Sequence, residues 1–384
     1  MSATIDPTVA AQAAEIADTA EAELAALVDV SSPSGDVAGA EAVIAVCVEL
    51  LPSGAEIERP PCSTEGSAPD LVATVRGSGT QRIMLLGHVD TVIGHDAHQP
   101  LRRDGERLYG TGTVDMKGGD VLAFGVARAL ARRPDRFAEL AVLMVCDEEW
   151  RTAPFGHVER FAGYDACLCF EAGHLTADGR EGVVVKRKAA GTLLVDATGR
   201  AAHSGAAPDQ GRNALLALAR VADRVAAFHD LSGPEQLSVV PTVMRSGNAF
   251  NIVPASGELI CDMRARTLEA FEPVLASVPS ELDEVGLYAR MGRKWPGMDS
   301  VATTASVLEG AARRLGKPIV GVPRGGASDA SHFAAAIPLT IDGLGPRGGG
   351  AHTPGEFALR EALGLRAEVA LAIGHELVDS AGSA

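Results

Sequence analysis

The sequence predicts an α/β protein in which helices cover a mostly parallel, mixed sheet, and in which a smaller α+β domain interrupts this larger one. Four apolar runs lack the alternation of half-exposed strands, and such continuous runs are typical of strands buried on both faces. A helical pattern lies between two of them, and strand–helix alternation indicates an α/β domain. After about residue 186 the apolar residues partly alternate, as in a sheet with one exposed face.

The elements of the larger domain follow from their periodicity and their end signals. A helix is predicted over 8–29 before the turn cluster at 31–36, and a second helix over 39–51 ends at Pro52. The four buried strands are predicted at 71–77, 82–88, 140–146 and 166–170. The segment 118–133 is predicted to be a helix, because its apolar residues recur at helical spacing and Pro134 marks its exit.

The smaller domain is predicted from a different order of elements. A strand after residue 186 precedes a helix over 211–229, strands near 237–245 and 257–264, and a helix near 267–284. This βαββαβ-like order indicates a ferredoxin-like α+β domain. Buried segments resume from residue 300 and include a strand-like run at 337–345. We therefore expect one domain from 1–187 and 299–384, with 188–298 inserted into it.

Composition excludes several classes of partner. The 384 residues contain 34 Lys and Arg against 50 Asp and Glu, and the resulting net charge of −16 argues against nucleic acid or an anionic membrane. No run approaches the ~20 apolar residues that span a bilayer, and the start lacks the cationic and apolar regions of a signal peptide. The six cysteines form no CxxC pair. We expect free thiols and a cytoplasmic protein.

Polar residues follow three of the predicted buried strands, where ligands of open α/β sheets bind. A Gly-rich loop at 110–119 adds one more carboxylate just before a helix. These residues are His88 and Asp90, Glu148 and Glu149, Glu171, and Asp115 of the loop. Carboxylates gathered in a closed site cannot all stay ionised without cations. The pattern therefore predicts a metal site.

Carboxylate and imidazole ligands suit Zn²⁺, with Co²⁺ or Mn²⁺ as alternatives, and the number of ligands suggests two ions. His88 and Asp90 are two residues apart on an extended chain, so Asp90 can orient the imidazole. Of the adjacent Glu148 and Glu149, one can be a ligand and the other a free carboxylate beside the nucleophilic water. The loop at 110–115 opens like a dinucleotide-binding fingerprint, but Asp115 stands where the third glycine is required.

Eight stretches of the chain resemble, in order, the co-catalytic zinc exopeptidase superfamily, which includes glutamate carboxypeptidases, acetylornithine deacetylases and succinyl-diaminopimelate desuccinylases. The resemblance is closest to the glutamate carboxypeptidase branch, through the tail motif and the RAAHSGAAP segment. The stretches are LLGHVDTV at 85–92, ERLYGTGTVDMKGGDVLAF at 106–124, VCDEEW at 145–150, FEAG at 170–173, GRAAHSGAAPDQGRNAL at 199–215, NIVPASGELICDMR at 251–264, GGASDASHF at 325–333 and GPRGGGAHTPGEF at 345–357.

The resemblance implies a role for each matching residue. His88 and Glu171 would bind one zinc ion, Glu149 and His352 would bind the other, and Asp115 would bridge both. Asp90 would orient His88, while Glu148 would act as general base and acid. A cis peptide bond is implied between Asp115 and Met116.

The resemblance also implies a zinc-exopeptidase-like catalytic domain with a lid and dimerisation domain at 188–298. His203 of this domain would reach the partner's active site in a homodimer and polarise the scissile carbonyl. Asn251 and Arg264 would hold the substrate's terminal carboxylate, with Ser328 near the side-chain pocket. The sequence departs from the family pattern at Ala327-Ser328-Asp329, and Arg293 and Lys294 are both candidates for a cation of the pocket.

These residues predict a di-zinc metallopeptidase that hydrolyses the amide bond to a C-terminal amino acid of a small peptide or N-acyl amino acid. Two alternatives remain open at this point. One is an N-acyl amino acid deacylase of the acetylornithine deacetylase or succinyl-diaminopimelate desuccinylase type. The other is an inactive binding or scaffold homologue, which the presence of every ligand and of Glu148 argues against.

Overall fold

The computed structural model describes residues 4–380, which divide into two compact units. The first unit takes the described residues within Met1–Lys186, Asp299–Arg324 and Ser328–Ala384. The second takes Arg187–Met298 and Gly325–Ala327. The second unit is therefore an insertion into the chain of the first.

The elements are numbered along the chain. The helices are α1 (Pro7–Val28), α2 (Val37–Leu50), α3 (Lys117–Ala131), α4 (Val158–Phe161), α5 (Ala214–Ala226), α6 (Glu272–Ala276), α7 (Val301–Leu315), α8 (Ala330–Phe333) and α9 (Arg360–Ser380). The strands up to the start of the second unit are β1 (Glu56–Glu58), β2 (Leu71–Arg76), β3 (Gln81–His88), β4 (Arg102–Asp104), β5 (Arg107–Tyr109), β6 (Phe137–Val145), β7 (Ala166–Cys169), β8 (His174–Leu175) and β9 (Glu181–Arg187). The remaining strands are β10 (Ala189–Thr198), β11 (Ser238–Ser246), β12 (Ser256–Ala265), β13 (Glu281–Leu282), β14 (Val285–Trp295), β15 (Met298–Asp299), β16 (Ile319–Arg324), β17 (Leu339–Ile341), β18 (Gly348–Gly349) and β19 (Phe357–Leu359).

The first unit is built on a six-stranded sheet in the order β1-β2-β6-β3-β7-β17. Strands β6, β3, β7 and β17 are parallel to one another, whereas β2 runs antiparallel to β6. Two smaller sheets have the orders β15-β9-β16, with β8 beside β9, and β18-β19-β5-β4. The predicted fold class, an α/β domain with a mostly parallel mixed sheet, is confirmed.

Strand β3 shows why its sequence lacks alternation. Ile83 and Leu85 belong to the main hydrophobic core, and Met84 and Leu86, which point to the opposite face, are also fully buried. Both faces of the sheet are therefore covered. Helix α2 begins where Asp36 accepts a hydrogen bond from the Gly39 amide at 2.8 Å, which is a typical N-cap.

The second unit is a five-stranded antiparallel sheet in the order β11-β12-β10-β14-β13. Helix α5 packs its apolar stripe onto this sheet around a separate core. The helix predicted near 267–284 is wrong in length, because α6 ends at Ala276 and Pro279 follows it. Strands β13 and β14 follow Pro279, and β13 lies within the range that was predicted to be helical.

Within residues 4–380, none of the helices combines the length and the apolar character that crossing a membrane requires.

Candidate metal centre

Three parallel strands bring acidic and imidazole groups to one edge of the central sheet. His88 is the last residue of β3, Glu148 and Glu149 follow β6, and Glu171 follows β7. Strand β3 pairs in parallel with both of its neighbours. Their carboxyl ends therefore meet at the same edge, where open α/β sheets bind their ligands.

Asp115 and His352 reach this edge from loops before α3 and after β18. Nε2 of His88 lies 3.3 Å from Oδ1 of Asp115 and 3.9 Å from Oε1 of Glu171. Nε2 of His352 lies 3.0 Å from Oδ2 of Asp115 and 3.2 Å from Oε1 of Glu149. The two carboxylate oxygens of Asp115 thus face two different histidines, each of which has a second carboxylate beside it.

The donor set fits divalent cations. Potential ligand atoms of His88, Asp115 and Glu149 all lie within 4.8 Å of one another. Imidazole nitrogens and carboxylate oxygens are the ligands that zinc and similar ions take in catalytic sites. The peptide bond between Asp115 and Met116 is cis, as the family resemblance predicts.

Neighbouring carboxylates favour the protonated form of both histidines. Burial disfavours a charge on His88, but hydrogen bonds to Asp115 and Asp90 raise its pKa well above the ordinary value. Hydrogen bonds to Asp115 and Glu149 raise the pKa of His352 to about 10. Burial works against ionisation of Asp115, yet the bonds from His352 and His88 hold its pKa below the usual range.

Two of the glutamates resist ionisation. Burial raises the pKa of Glu148 to about 7; His88 acts in the opposite direction, and Glu149 and Asp115 add to the rise. Burial and the charge of Asp115 raise the pKa of Glu171 well above its ordinary value. Both shifts arise because carboxylates crowd together in a poorly solvated place, which is the condition that bound cations relieve.

Metal binding to the metal-free protein near pH 7 is expected to release at least about two protons, from His88, His352 and the proposed ligand Glu171, because a metal ligand must be deprotonated and the pKa of each of these groups is raised. The apparent affinity should therefore weaken as the pH falls. Titration calorimetry in buffers of different ionisation enthalpy measures the number released. His174→Gln, which changes a histidine on β8, is the control and should release as many as the wild type. A release near zero would contradict the raised pKa values.

Asp90 fixes the backbone of the two glutamates as well as contacting His88. The amides of Glu148 and Glu149 donate to its carboxylate at 3.1 and 3.2 Å, and Oγ of Ser34 donates to it at 2.8 Å. Nδ1 of His88 lies 3.1 Å from the carbonyl oxygen of Asp90 and 3.4 Å from its Oδ1. The carbonyl is therefore the nearer partner of the imidazole, and Ser34 is a contributor that the sequence analysis missed.

Glu356 holds the loop that carries Asp115, and the sequence analysis gave it no role. Its Oε1 accepts from the amides of Val114 and Asp115 at 2.8 and 2.9 Å, and its Oε2 accepts from Gly112 at 2.9 Å. The side chain is buried, and burial raises its pKa to about 7 although the three amides act in the opposite direction. The signal available was an acidic residue in the tail motif, four residues after the predicted ligand His352.

A buried guanidinium links the glutamate segment to the loop before α8. Nη1 of Arg151 donates to Asp147 at 2.7 Å, and its Nη2 donates to Asp329. Ser328, which was predicted to lie near the side-chain pocket, is fully buried. Its Oγ accepts from the amide of Ala330 at 3.3 Å and lies 3.7 Å from Sγ of Cys169.

The loop that presents His352 is anchored by another buried ion cluster. Nη1 of Arg366 and Nη1 of Arg347 each donate to one oxygen of Glu181 at 2.8 Å. Nη2 of Arg366 also donates to the carbonyl of Gly343 at 2.5 Å. His352 itself has a φ of +64°, a left-handed conformation that non-glycine residues rarely adopt outside functional loops and turns.

The remaining predicted residues lie in the second unit. Nδ1 of the exposed His203 accepts hydrogen bonds from the amides of Gly205 and Ala206, both at 3.1 Å. Asn251 is exposed and lies in a turn, where its carbonyl accepts from the amide of Ser204 at 3.0 Å.

Two arginines of the second unit have different surroundings. Nε and Nη2 of Arg264 donate to the two oxygens of Asp262, both at 3.0 Å. The guanidinium of Arg293 stacks on the indole of the buried Trp295 at 3.7 Å from the ring centroid, and Lys294 is exposed. Arg264 thus already holds a carboxylate in its fork.

A family comparison matches most of the chain. Residues 84–374 match the family model described as peptidase family M20/M25/M40. The chain is 28% identical over 347 residues to carboxypeptidase G2 of Pseudomonas sp. (strain RS-16), which covers 85% of this chain and 81% of that protein. It is 27% identical over 305 residues to the succinyl-diaminopimelate desuccinylase of Halorhodospira halophila, covering 73% and 79% of the two chains.

Solved structures share the fold. The aminopeptidase PepT of Bacillus cereus superposes with a TM-score of 0.74 at 20% identity, covering 94% of this chain and 98% of that one. An M20 family metallo-carboxypeptidase of Sulfolobus solfataricus superposes with a TM-score of 0.73 at 15% identity, covering 94% and 99%.

Proposed function

The chain belongs to peptidase family M20/M25/M40, and we propose that this metal-dependent hydrolase cleaves the amide bond to a C-terminal amino acid of a small peptide or N-acyl amino acid. One observation carries the proposal: the two oxygens of Asp115 face two separate pairs of histidine and carboxylate, His88 with Glu171 and His352 with Glu149. The runner-up is an N-acyl amino acid deacylase, which the similarity to a desuccinylase favours.

The metal ligands of the proposal follow the two pairs. His88 and Glu171 would hold one ion, His352 and Glu149 the other, and Asp115 would contact both. Zn²⁺ is the ion we propose, with Co²⁺ or Mn²⁺ as alternatives that take the same ligands. When bound, such ions act as Lewis acids and make water a nucleophile at neutral pH.

Glu148 is the residue that moves the proton. Its carboxylate takes a proton from the attacking water and delivers it to the leaving nitrogen, so that the amine departs neutral. Its side chain is buried, and it has a pKa of about 7 before cations are bound. A group with a pKa near the working pH can both accept and donate a proton.

His203 is proposed to donate a hydrogen bond to the scissile carbonyl of a substrate in the active site of the other protomer of a homodimer. Its Nδ1 accepts two backbone amides, which requires that this nitrogen carry no proton. The proton of the neutral ring is then on Nε2, which leaves a donor for an oxygen that gains negative charge in the transition state. The Gly205–Ala206 turn therefore sets the tautomer that this role needs.

The terminal carboxylate of the substrate is proposed to bind Arg264, with Asn251 as a second contact. The guanidinium of Arg264 can donate two hydrogen bonds to one carboxylate, as it does to Asp262 in the structure. A substrate carboxylate would have to replace that contact or use the remaining Nη1. Ser328 is proposed to lie near the side-chain pocket. Because its hydroxyl is buried and bonded to the amide of Ala330, we propose that it shapes the loop before α8 and does not contact the substrate.

The proposed function can be tested with a panel of substrates in which either the C-terminal group or the acyl group is changed while the other is kept. N-acylated amino acids with a free carboxylate should be hydrolysed at least about tenfold faster than the same compounds with a C-terminal amide, since a charge-assisted bond contributes about 1.5–3 kcal/mol. Comparing the hydrolysis rates of dipeptides with those of acetyl- and succinyl-amino acids distinguishes the carboxypeptidase from the N-acyl amino acid deacylase. Equal rates for free and amidated ends would contradict exopeptidase action.

We propose that the second unit is a lid and dimerisation domain. Strand β11 is an edge strand, and exposed apolar side chains lie on it and on α5: Leu215, Leu216, Val240 and Met244. Sedimentation is expected to show a dimer, and Val240→Glu should raise the fraction of monomer. Ile57→Glu, on edge strand β1 of the first unit, is the control. A wild-type monomer at micromolar concentration would contradict the proposal. We also propose a cytoplasmic location, which is supported by the six cysteines being free thiols.

A further inference from the structure

Exposed apolar side chains of the first unit concentrate around one loop. The described residues of the first unit include six large apolar side chains that are exposed: Val37, Ile57, Val92, Trp150, Leu175 and Val301. Three of the six, Val37, Val92 and Trp150, border the loop of residues 31–36. Isolated exposed apolar residues are normal on any surface, but an exposed tryptophan directly after the proposed ligand Glu149 is a candidate for contact with the substrate.

The loop of residues 31–36 is joined to the candidate metal centre by hydrogen bonds. The Ser34 amide donates to the carbonyl of Thr91 at 2.9 Å, directly before Val92. Oγ of Ser34 donates to the same oxygen of Asp90 that accepts the amide of Glu149. Val92 and Trp150 therefore lie next to residues that are hydrogen-bonded, through Ser34 and Asp90, to the segment that carries the proposed catalytic groups.

Trp150 packs on this loop without being buried by it. A Cβ on Gly35 would lie 3.3 Å from two carbons of the indole, so the ring rests on a backbone that has no side chain and a φ of +83°. The residue is 44% exposed, whereas Trp295 is 1% exposed. The packing fixes one side of the indole, and the exposed remainder is free to contact a ligand.

We propose that Trp150 is a specificity-determining residue that, with Val37 and Val92, selects large apolar and above all aromatic acyl groups over short or charged ones. This inference rests on the proposed function. The acyl group of such a substrate lies on the opposite side of the scissile amide from the terminal carboxylate. An indole stacks on planar groups, and the two valines offer no charge to a carboxylate tail.

The kinetic test compares acyl groups on one amino acid. Trp150→Ala should lower kcat/KM for the N-benzoyl derivative by about tenfold or more and change that for the N-acetyl derivative by less than about threefold. Trp150→Phe should retain most of the preference, because an aromatic face remains. Ile57→Ala, which removes an exposed apolar side chain on β1, should change neither. Equal losses for both substrates would overturn the inference.

A binding measurement keeps this inference separate from the proposed function. The chain has two tryptophans, and only Trp150 is open to acrylamide, which quenches exposed indoles. Benzoate added to the metal-loaded protein should protect Trp150 from quenching, whereas acetate at equal concentration should not. Protection by benzoate in a protein that hydrolyses no amide would refute the proposed function and support the subsite. No difference between the two acids would refute the subsite, even in an active enzyme.

Discussion

Glu148→Gln is expected to lower kcat by about 10²–10⁴-fold and to leave the metal content unchanged, because proton transfer by a positioned side chain contributes that much. The amide of glutamine has the shape of the carboxylate but accepts no proton from water. The contact of residue 148 with Asp90 is made by its backbone amide, so the substitution leaves it intact. Single-turnover rates and metal analysis on the same preparation measure both quantities.

The neighbouring Glu149→Gln is the matched control for this result. Nε2 of His352 lies 3.2 Å from Glu149, which is proposed as a ligand, so this variant should lose metal affinity as well as activity. A pH profile adds a second readout. Glu148 must be ionised to accept a proton, so kcat/KM of the wild type should fall as the pH drops through about 7 or lower, since bound cations favour the ionised form. A Glu148→Gln variant within threefold of wild-type kcat would contradict the assignment.

The metal centre could be predicted from the sequence because its chemistry follows strands that are easy to find. β3, β6 and β7 are continuous apolar runs; β3 ends in the imidazole of His88, and carboxylates follow β6 and β7. Parallel strands must bring such residues to one edge, so their proximity follows from topology alone. Asp115 and His352 lie on loops, and only the family resemblance indicated which strand-end groups they would meet.

Several supporting residues could not be predicted because they act on backbone groups. Oγ of Ser34 donates to the carbonyl of Thr91, and Glu356 accepts from the amides of the loop at 112–115; the conformation of such loops has no periodic signal in the sequence. Arg151 binds two aspartates, of which one lies 178 positions away in the sequence. The wrong length of the helix near 267–284 has a local cause, since the apolar pattern continues past Pro279 into strand residues.

Glu356 is the supporting residue whose replacement should have the largest effect on Asp115. Its carboxylate satisfies three buried amides of the loop at 112–115, and each buried donor left unpaired costs about 1–3 kcal/mol. Glu356→Ala is therefore expected to lower the free energy of unfolding by about 3–5 kcal/mol. Urea unfolding at pH 7.5 measures the loss.

Glu356→Gln separates the position of Asp115 from the stability of the fold. Glutamine keeps one acceptor oxygen and turns an NH₂ group towards an amide donor, so the loop should shift while the chain still folds. Because Asp115 is proposed to contact both ions, metal affinity should fall about 10–100-fold, as for other residues that support ligands. Glu309→Gln, on the exposed side of α7, is the control and should change neither quantity. Wild-type metal affinity in Glu356→Gln, together with lowered stability, would show that Glu356 stabilises the fold without positioning the bridging carboxylate.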